Sequence, residues 1–171
     1  MNEAYKNITN RRSIKKYSTK KVEHEIIEKI VEAGQCAPSG MNRQSYAFVV
    51  VEKEEILSEL SKMNADVMHA DMDPFYGAQA LIVVFADSNV PTHIYDGSLA
   101  MANLMLAANS LGVDSCWIHR AKEMFESEKG KELMKEWGLP ESYVGIGNCI
   151  LGYRSQEPTK RSERTSKVIY A

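Results

Sequence analysis

The sequence predicts one domain in which helices pack on the faces of a β-sheet, of the α/β or α+β class. Three observations lead there. Segments with helically spaced apolar residues alternate with short β-branched and aromatic runs along the chain, the pattern of a sheet covered by helices. One of those runs, ALIVVFA at 80–86, is apolar at every position, as a strand buried on both faces must be. The 171 residues suit a single domain spanning 1–171, and no repeat, linker or low-complexity segment divides them.

The elements follow in order. Glu3 to Thr9 reads as a short helix, and the basic segment RRSIKKYSTKKV follows with little periodicity. From Val22 to Gly34, Ile26, Ile27, Ile30 and Val31 recur at helical spacing before a terminal Gly, which predicts an amphipathic helix. CAPSGMNRQS is a loop by its Pro, Ser, Gly and Asn content. Tyr46 to Val51 is a strand. Glu54 to Met63 is a helix with Ile56, Leu57 and Leu60 inward, and helix or irregular structure continues to Pro74. After the strand at 80–86, Leu99 to Leu111 is almost all Ala, Leu and Met, so it predicts a helix apolar on nearly every face and buried all round. One small chain can rarely cover such a helix, which points to a second copy of the protein. Leu111-Gly112 closes it. Val113 to Ile118 is a strand, Ala121 to Trp137 one amphipathic helix stopped by Gly138 and Pro140, and Tyr143 to Gly152 the last strand. A polar tail then ends in Val168-Ile169-Tyr170.

Charge is unevenly placed. The net value is -2, yet residues 1–21 carry seven cations against Glu3, and residues 154–171 carry five against Glu157 and Glu163. The two ends are therefore basic and the body acidic, which argues against the continuous basic face of a nucleic-acid groove. Two basic ends can instead converge on a compact anion such as a phosphate. Cys36, Cys116 and Cys149 are odd in number and widely spaced, which gives no disulfide framework. The start, MNEAYKNITNRRS, has no apolar signal core, so a soluble cytoplasmic protein without membrane attachment is expected.

Several chemistries find no support. GIGNCILG at 145–152 carries Ile150 where a dinucleotide fingerprint needs Gly, and no helix follows, so its glycines read as close-packing positions. P-loop and serine-hydrolase motifs do not occur. Cys116 and His119 have no further ligands nearby to complete a zinc site, and the acidic run at 66–73 lacks the Gly and Glu of a calcium loop. Two polar segments remain. Arg11-Arg12-Ser13-Ile14-Lys15 packs three cations and a hydroxyl into five residues, which alone reads as a solvated turn. Pro38 to Gln44 reads as a connecting loop, or as a ligand rim of exposed backbone N–H groups and Ser, Asn and Gln side chains.

Taken together and in order, RRSIKKY at 11–17, APSGMNRQSYAFVVV at 37–51, AQALIVVFA at 78–86, LGVDSCWIHR at 111–120, then WGLPESY, ILGY and PTKR at 158–161 resemble the nitroreductase family of flavin mononucleotide (FMN) enzymes over nearly the whole chain. The resemblance implies an α+β fold with a mostly antiparallel central sheet flanked by helices. It implies a homodimer formed through a long central helix, with shared active sites and a C-terminal tail swapped onto the partner's sheet. It implies that Arg11, Arg12, Ser13 and Lys15 hold the flavin phosphate and ribityl chain, helped by Lys160 and Arg161. Pro38, Ser39, Gly40, Asn42 and Gln44 would lie against the isoalloxazine, partly from the other subunit, and backbone near Ile118 and His119 would approach flavin N5. The flavin performs the redox work, so no catalytic side chain and no metal is expected. Hydride would pass from NAD(P)H to nitroaromatic, quinone or similar acceptors by a ping-pong mechanism. Little separates Met63 from the strand at 80, so a covering helical insertion is expected to be missing or reduced. The alternatives are a flavin-binding storage or sensor protein, or a family member with another flavin reaction.

Overall fold

The computed structural model describes residues 2–171. Its elements are α1 (Glu3–Asn10), α2 (His24–Gln35), a 3₁₀ turn (Gly40–Asn42), β1 (Tyr46–Val51), α3 (Glu54–Met68), β2 (Ala80–Asp87), α4 (His93–Ser110), β3 (Asp114–Ile118), α5 (Ala121–Glu126), α6 (Glu128–Glu136) and β4 (Tyr143–Gly152). The four strands form one sheet in the order β1-β2-β4-β3, every neighbouring pair antiparallel. The fold is therefore α+β.

β2 lies inside the sheet, and its alternation divides the core. Leu81, Val83 and Phe85 face Leu60, Phe75, Met124, Phe125 and Leu133, from α3, α5, α6 and the loop before β2. Ala80, Ile82, Val84 and Ala86 face Ile27 and Ile30 of α2 and Met101, Leu104 and Ala108 of α4. All seven of these β2 side chains are buried, which is why the run carries no polar residue. The register slips between Val84 and Phe85, where Gly147 and Gly145 are the partners, so Ile146 is the extra residue of a bulge. The glycines of GIGNCILG serve packing. A Cβ on Gly145 would lie 2.5 Å from the Ala121 carbonyl oxygen, and one on Gly147 would collide with the Trp117 indole.

Two expectations are corrected. The 121–137 helix is two helices, because Ser127 is extended and its hydroxyl accepts from Gly130 N–H at 3.0 Å, starting α6 afresh. The central helix begins at His93, six residues before Leu99. Within one chain it is only partly covered, as expected of a helix too apolar for one small chain to enclose: Asp96, Gly97, Ala100, Met101, Leu104 and Ala108 are buried, while Tyr95 and Leu99 are 71% and 45% exposed. α3 runs on to Met68, within the stretch expected to be helical or irregular; Asn64 and Ala65 are buried and the turn comes only at left-handed His69. No helix among the described residues is long and apolar enough to cross a membrane.

Candidate functional site

The cationic segment runs beside the free edge of β3. Ile14 N–H donates to the Ser115 carbonyl at 3.1 Å, with Ser13 and Ser115 paired in parallel. Ile14 and Tyr17 are buried and fix the segment, which leaves Ser13 and Lys15 exposed. Upstream, α1 is tied to the C-terminal end of α4, where Asn7 Nδ2 donates to the Leu106 carbonyl at 2.9 Å and Asn109 Nδ2 donates to Asn7. The tail starts from a bidentate pair: Arg154 Nε and Nη2 reach the Asp114 carboxylate at 3.0 and 2.6 Å. These bonds hold the Arg154 pKa above its ordinary value. The chain then returns over the cationic segment. Arg12 Nη2 donates to the Thr159 carbonyl at 2.8 Å, and Arg161 Nη2 to the Arg11 carbonyl at 3.0 Å.

Arg11, Arg12, Ser13 and Arg161 thus converge from opposite ends of the sequence, with Lys15 on the same segment and Lys160 exposed beside Arg161. Among the described residues none of these five cations has an acidic partner within 4.0 Å. Arg11 Nη1 is buried and has no hydrogen-bond partner. Burial pushes the nearby Cys116 thiol up, and Cys149 up to about 12, so both stay neutral and leave the positive field uncompensated.

The second element is the loop before β1. Its start is held by Tyr46, whose hydroxyl donates to the Ala37 carbonyl at 2.7 Å. Gln44 N–H donates to Ser39 Oγ at 2.9 Å. Gly40 N–H donates to Asp96 Oδ1, and the Ser45 and Thr92 hydroxyls to Oδ2, each at 2.9 Å. Gly40 is required, because a Cβ there would lie 2.5 Å from Thr92 Oγ1. Burial pushes the Asp96 carboxyl up, but the bonds from Gly40, Thr92 and Ser45 outweigh it and hold the group below its usual value. Met41, Asn42 and Gln44 have φ of 52°, 55° and 48°, left-handed conformations that non-glycine residues keep only when the surroundings impose them. The loop is preorganised, and Met41, Asn42 and Gln44 remain exposed.

The third element is the turn after β3. Ile118 is buried, His119 exposed, and Arg120 takes φ 76° before α5. Asn64 Nδ2 donates to the His119 carbonyl at 2.7 Å, and Asn148 Nδ2 lies 3.5 Å from the same oxygen. Asp96, Asn64 and Asn148 were not among the expected site residues. Asn148 interrupts a buried apolar strand, a lone polar residue that must find a partner, and that was the available signal; Asp96 and Asn64 lie in helical stretches of mixed burial that carry no such mark.

One chain does not join all three elements. The 38–44 loop hangs on Thr92 and Asp96 at the start of α4, whereas α1, which leads into the cationic segment, hangs on Leu106 and Asn109 near its end. Asp96 and Asn109 lie about 20 Å apart along the axis at ~1.5 Å per residue. The turn after β3 shares the sheet edge with the cationic segment.

The antiparallel sheet flanked by helices, with unpaired cations from both ends of the chain at one edge and a left-handed rim loop, defines an α+β protein with a cation cluster open to an anion. The family model described as "Nitroreductase family" matches residues 8–153, and the chain belongs to that family. It is 37% identical over 162 residues, 92% of this chain and 88% of the other, to an Archaeoglobus fulgidus protein provisionally named NADH dehydrogenase/NAD(P)H nitroreductase. It is 24% identical to the "FMN reductase [NAD(P)H]" of Bacillus subtilis, over 99% of this chain and 73% of that one. Among solved structures, a Bacteroides fragilis nitroreductase with bound FMN superposes with a TM-score of 0.91 at 25% identity, covering 100% of both chains.

Proposed function

We propose that this protein is an FMN-dependent oxidoreductase working as a homodimer with two shared sites. The observation that carries the reading is Arg11: a buried guanidinium nitrogen without a partner, among cations that have no acidic neighbours. An anion is what such a group lacks, and a phosphate monoester carries close to two negative charges at neutral pH. The residues fit FMN: Arg11, Arg12 and Arg161 would hold the phosphate, and Ser13 and Lys15 would serve the phosphate and ribityl chain. Bound FMN supplies the two-electron chemistry, hydride from NAD(P)H passing in a ping-pong sequence to nitroaromatic, quinone or similar acceptors.

The chain's own contribution is binding and orientation. Asp96 holds the 38–44 loop rigid, so that Ser39, Gly40, Asn42 and Gln44 present a fixed polar rim. The backbone at Ile118 and His119 stands beside the cradle at the same sheet edge. The separation of the two elements along α4 supports the dimer. An antiparallel partner helix would bring the second copy's loop beside the first copy's cradle, and would cover Tyr95 and Leu99. β1 has an open outer edge, and the exposed Val168-Ile169-Tyr170 tip suits a partner strand there. Obligate interfaces of this type bury on the order of 2,000 Å² or more.

Purified protein should be yellow and release FMN, identified by chromatography, while light scattering gives twice 19.2 kDa. Release of the adenine-bearing flavin, or no uptake of flavin after reconstitution, would overturn the cofactor assignment. A flavin-loaded monomer would overturn the shared site.

A further inference from the structure

The fully buried pair Asn64 and Asn148 has no part in the cradle or the loop. Asn64 comes from α3 and Asn148 from β4, and both are 0% exposed. The Asn64 amide donates to the His119 carbonyl oxygen at 2.7 Å, the Asn148 amide lies 3.4 Å from the Ile118 carbonyl and 3.5 Å from that of His119, and the Met124 sulfur is 3.1 and 3.5 Å from the two nitrogens. Both Oδ1 atoms are buried without partners. Reversing the Asn64 amide does not help, since it would set two oxygens 2.7 Å apart. Two orphaned acceptors cost stability, and a position filled for packing alone would be apolar. The pair therefore costs stability in order to hold the backbone of this turn, above all the His119 carbonyl that both amides reach.

Holding that carbonyl has a consequence on the other side of the peptide. The bond is trans, so its C=O and N–H point in opposite directions. With the His119 oxygen drawn into the protein, the Arg120 N–H faces outward. It has no backbone acceptor among the described residues. Arg120 itself is held at φ 76°, strain that persists only where neighbours over-determine the backbone.

We infer that Asn64 and Asn148 are positioning residues: by drawing in the His119 carbonyl they aim the Arg120 N–H at the redox ring, which the proposed function places beside this turn. The inference rests on that reading for the identity of the ring and on the geometry for the aim. Oxidised flavin N5 is an acceptor, whereas reduced N5 carries hydrogen and is a donor. A fixed N–H facing N5 therefore favours the oxidised form, and freeing it raises the midpoint potential.

The test uses Asn64→Leu and Asn148→Leu, with Asn103→Leu as control. Asn103 is a part-buried amide bonded to the Ala33 carbonyl at 3.1 Å, on α4. If a Leu variant does not fold, the Ser variant at the same position replaces it, because the shorter hydroxyl cannot span to the carbonyl. In flavin-free protein, the Arg120 backbone amide resonance should shift or broaden in the two test variants and stay put in the control. In FMN-loaded protein, the midpoint potential should rise by about 30 mV, a tenfold change for a two-electron couple, shared between weaker binding of oxidised FMN, by no more than about tenfold, and tighter binding of reduced FMN. Wild-type potential together with an unmoved Arg120 resonance would overturn the inference and make the pair mere core filling. Wild type that takes up no FMN would instead refute the proposed function, and the flavin-free resonance would still decide the positioning.

Discussion

Removing the Asp96 carboxylate should unfasten the 38–44 loop and weaken the whole domain. Three donors reach that carboxylate at 2.9 Å. Ser45 is 4% exposed, so its hydroxyl cannot recover a bond to water when the acceptor goes, a loss of about 1–3 kcal/mol. Gly40 and Thr92 are half-buried and can rehydrate, so each adds ~1 kcal/mol. Asp96→Ala should therefore cost about 3–5 kcal/mol. Asp96→Asn should cost about 0–2 kcal/mol, because its amide oxygen can keep the Gly40 bond and both hydroxyls can turn to accept. The acid limb has a definite sign. The folded-state pKa lies below the ordinary value of 3.8, so the contribution is complete above that value and disappears as pH falls through the folded one. Asp96→Asn should flatten that part of the profile. The assay is denaturant unfolding at fixed protein concentration, from neutral pH down to about pH 3. Equal costs for the two variants, or an Ala variant within ~1 kcal/mol of wild type, would refute the reasoning that the carboxylate pins the loop.

Other consequences are as direct. Arg11→Ala should weaken FMN binding tenfold to a hundredfold, about 1.5–3 kcal/mol, and Arg161→Ala by less. Lys20→Ala, whose ammonium sits 4.2 Å over the Tyr153 ring, should leave FMN binding unchanged; flavin fluorescence titration at fixed salt compares them. Leu99→Asp puts a charge on the exposed stripe of α4 and should give monomers by light scattering, with loss of flavin. Gly147→Ala forces a methyl into the Trp117 indole and should cost about 1–3 kcal/mol by overpacking, read as a lower unfolding midpoint at unchanged m-value.

The strands were legible because burial writes itself into residue type. β1 and β4 lie at the boundaries that the composition suggests, and β2 is one residue longer. The helices were less so where local chemistry competes with periodicity. Ser127 starts a new helix by capping Gly130, a signal hidden inside a run rich in Glu and Lys. α4 starts at His93, although His93 to Ser98 lacks the Ala-Leu-Met pattern, since its first turn is organised by Asp96. Within the site, the termini-to-cradle convergence followed from charge placement and family motif. Asp96, Asn64 and Asn148 did not, because each acts through a backbone group far away in sequence, a relation only the fold reveals.

The most direct test of the central claim is anaerobic titration of the FMN-reconstituted protein with NADH and NADPH, followed at the visible flavin band. The account predicts that about one equivalent of one nicotinamide bleaches the band, and that a quinone or nitroaromatic then restores it without further nicotinamide. A colourless protein that takes up no FMN, or bound FMN that neither nicotinamide bleaches, would contradict it.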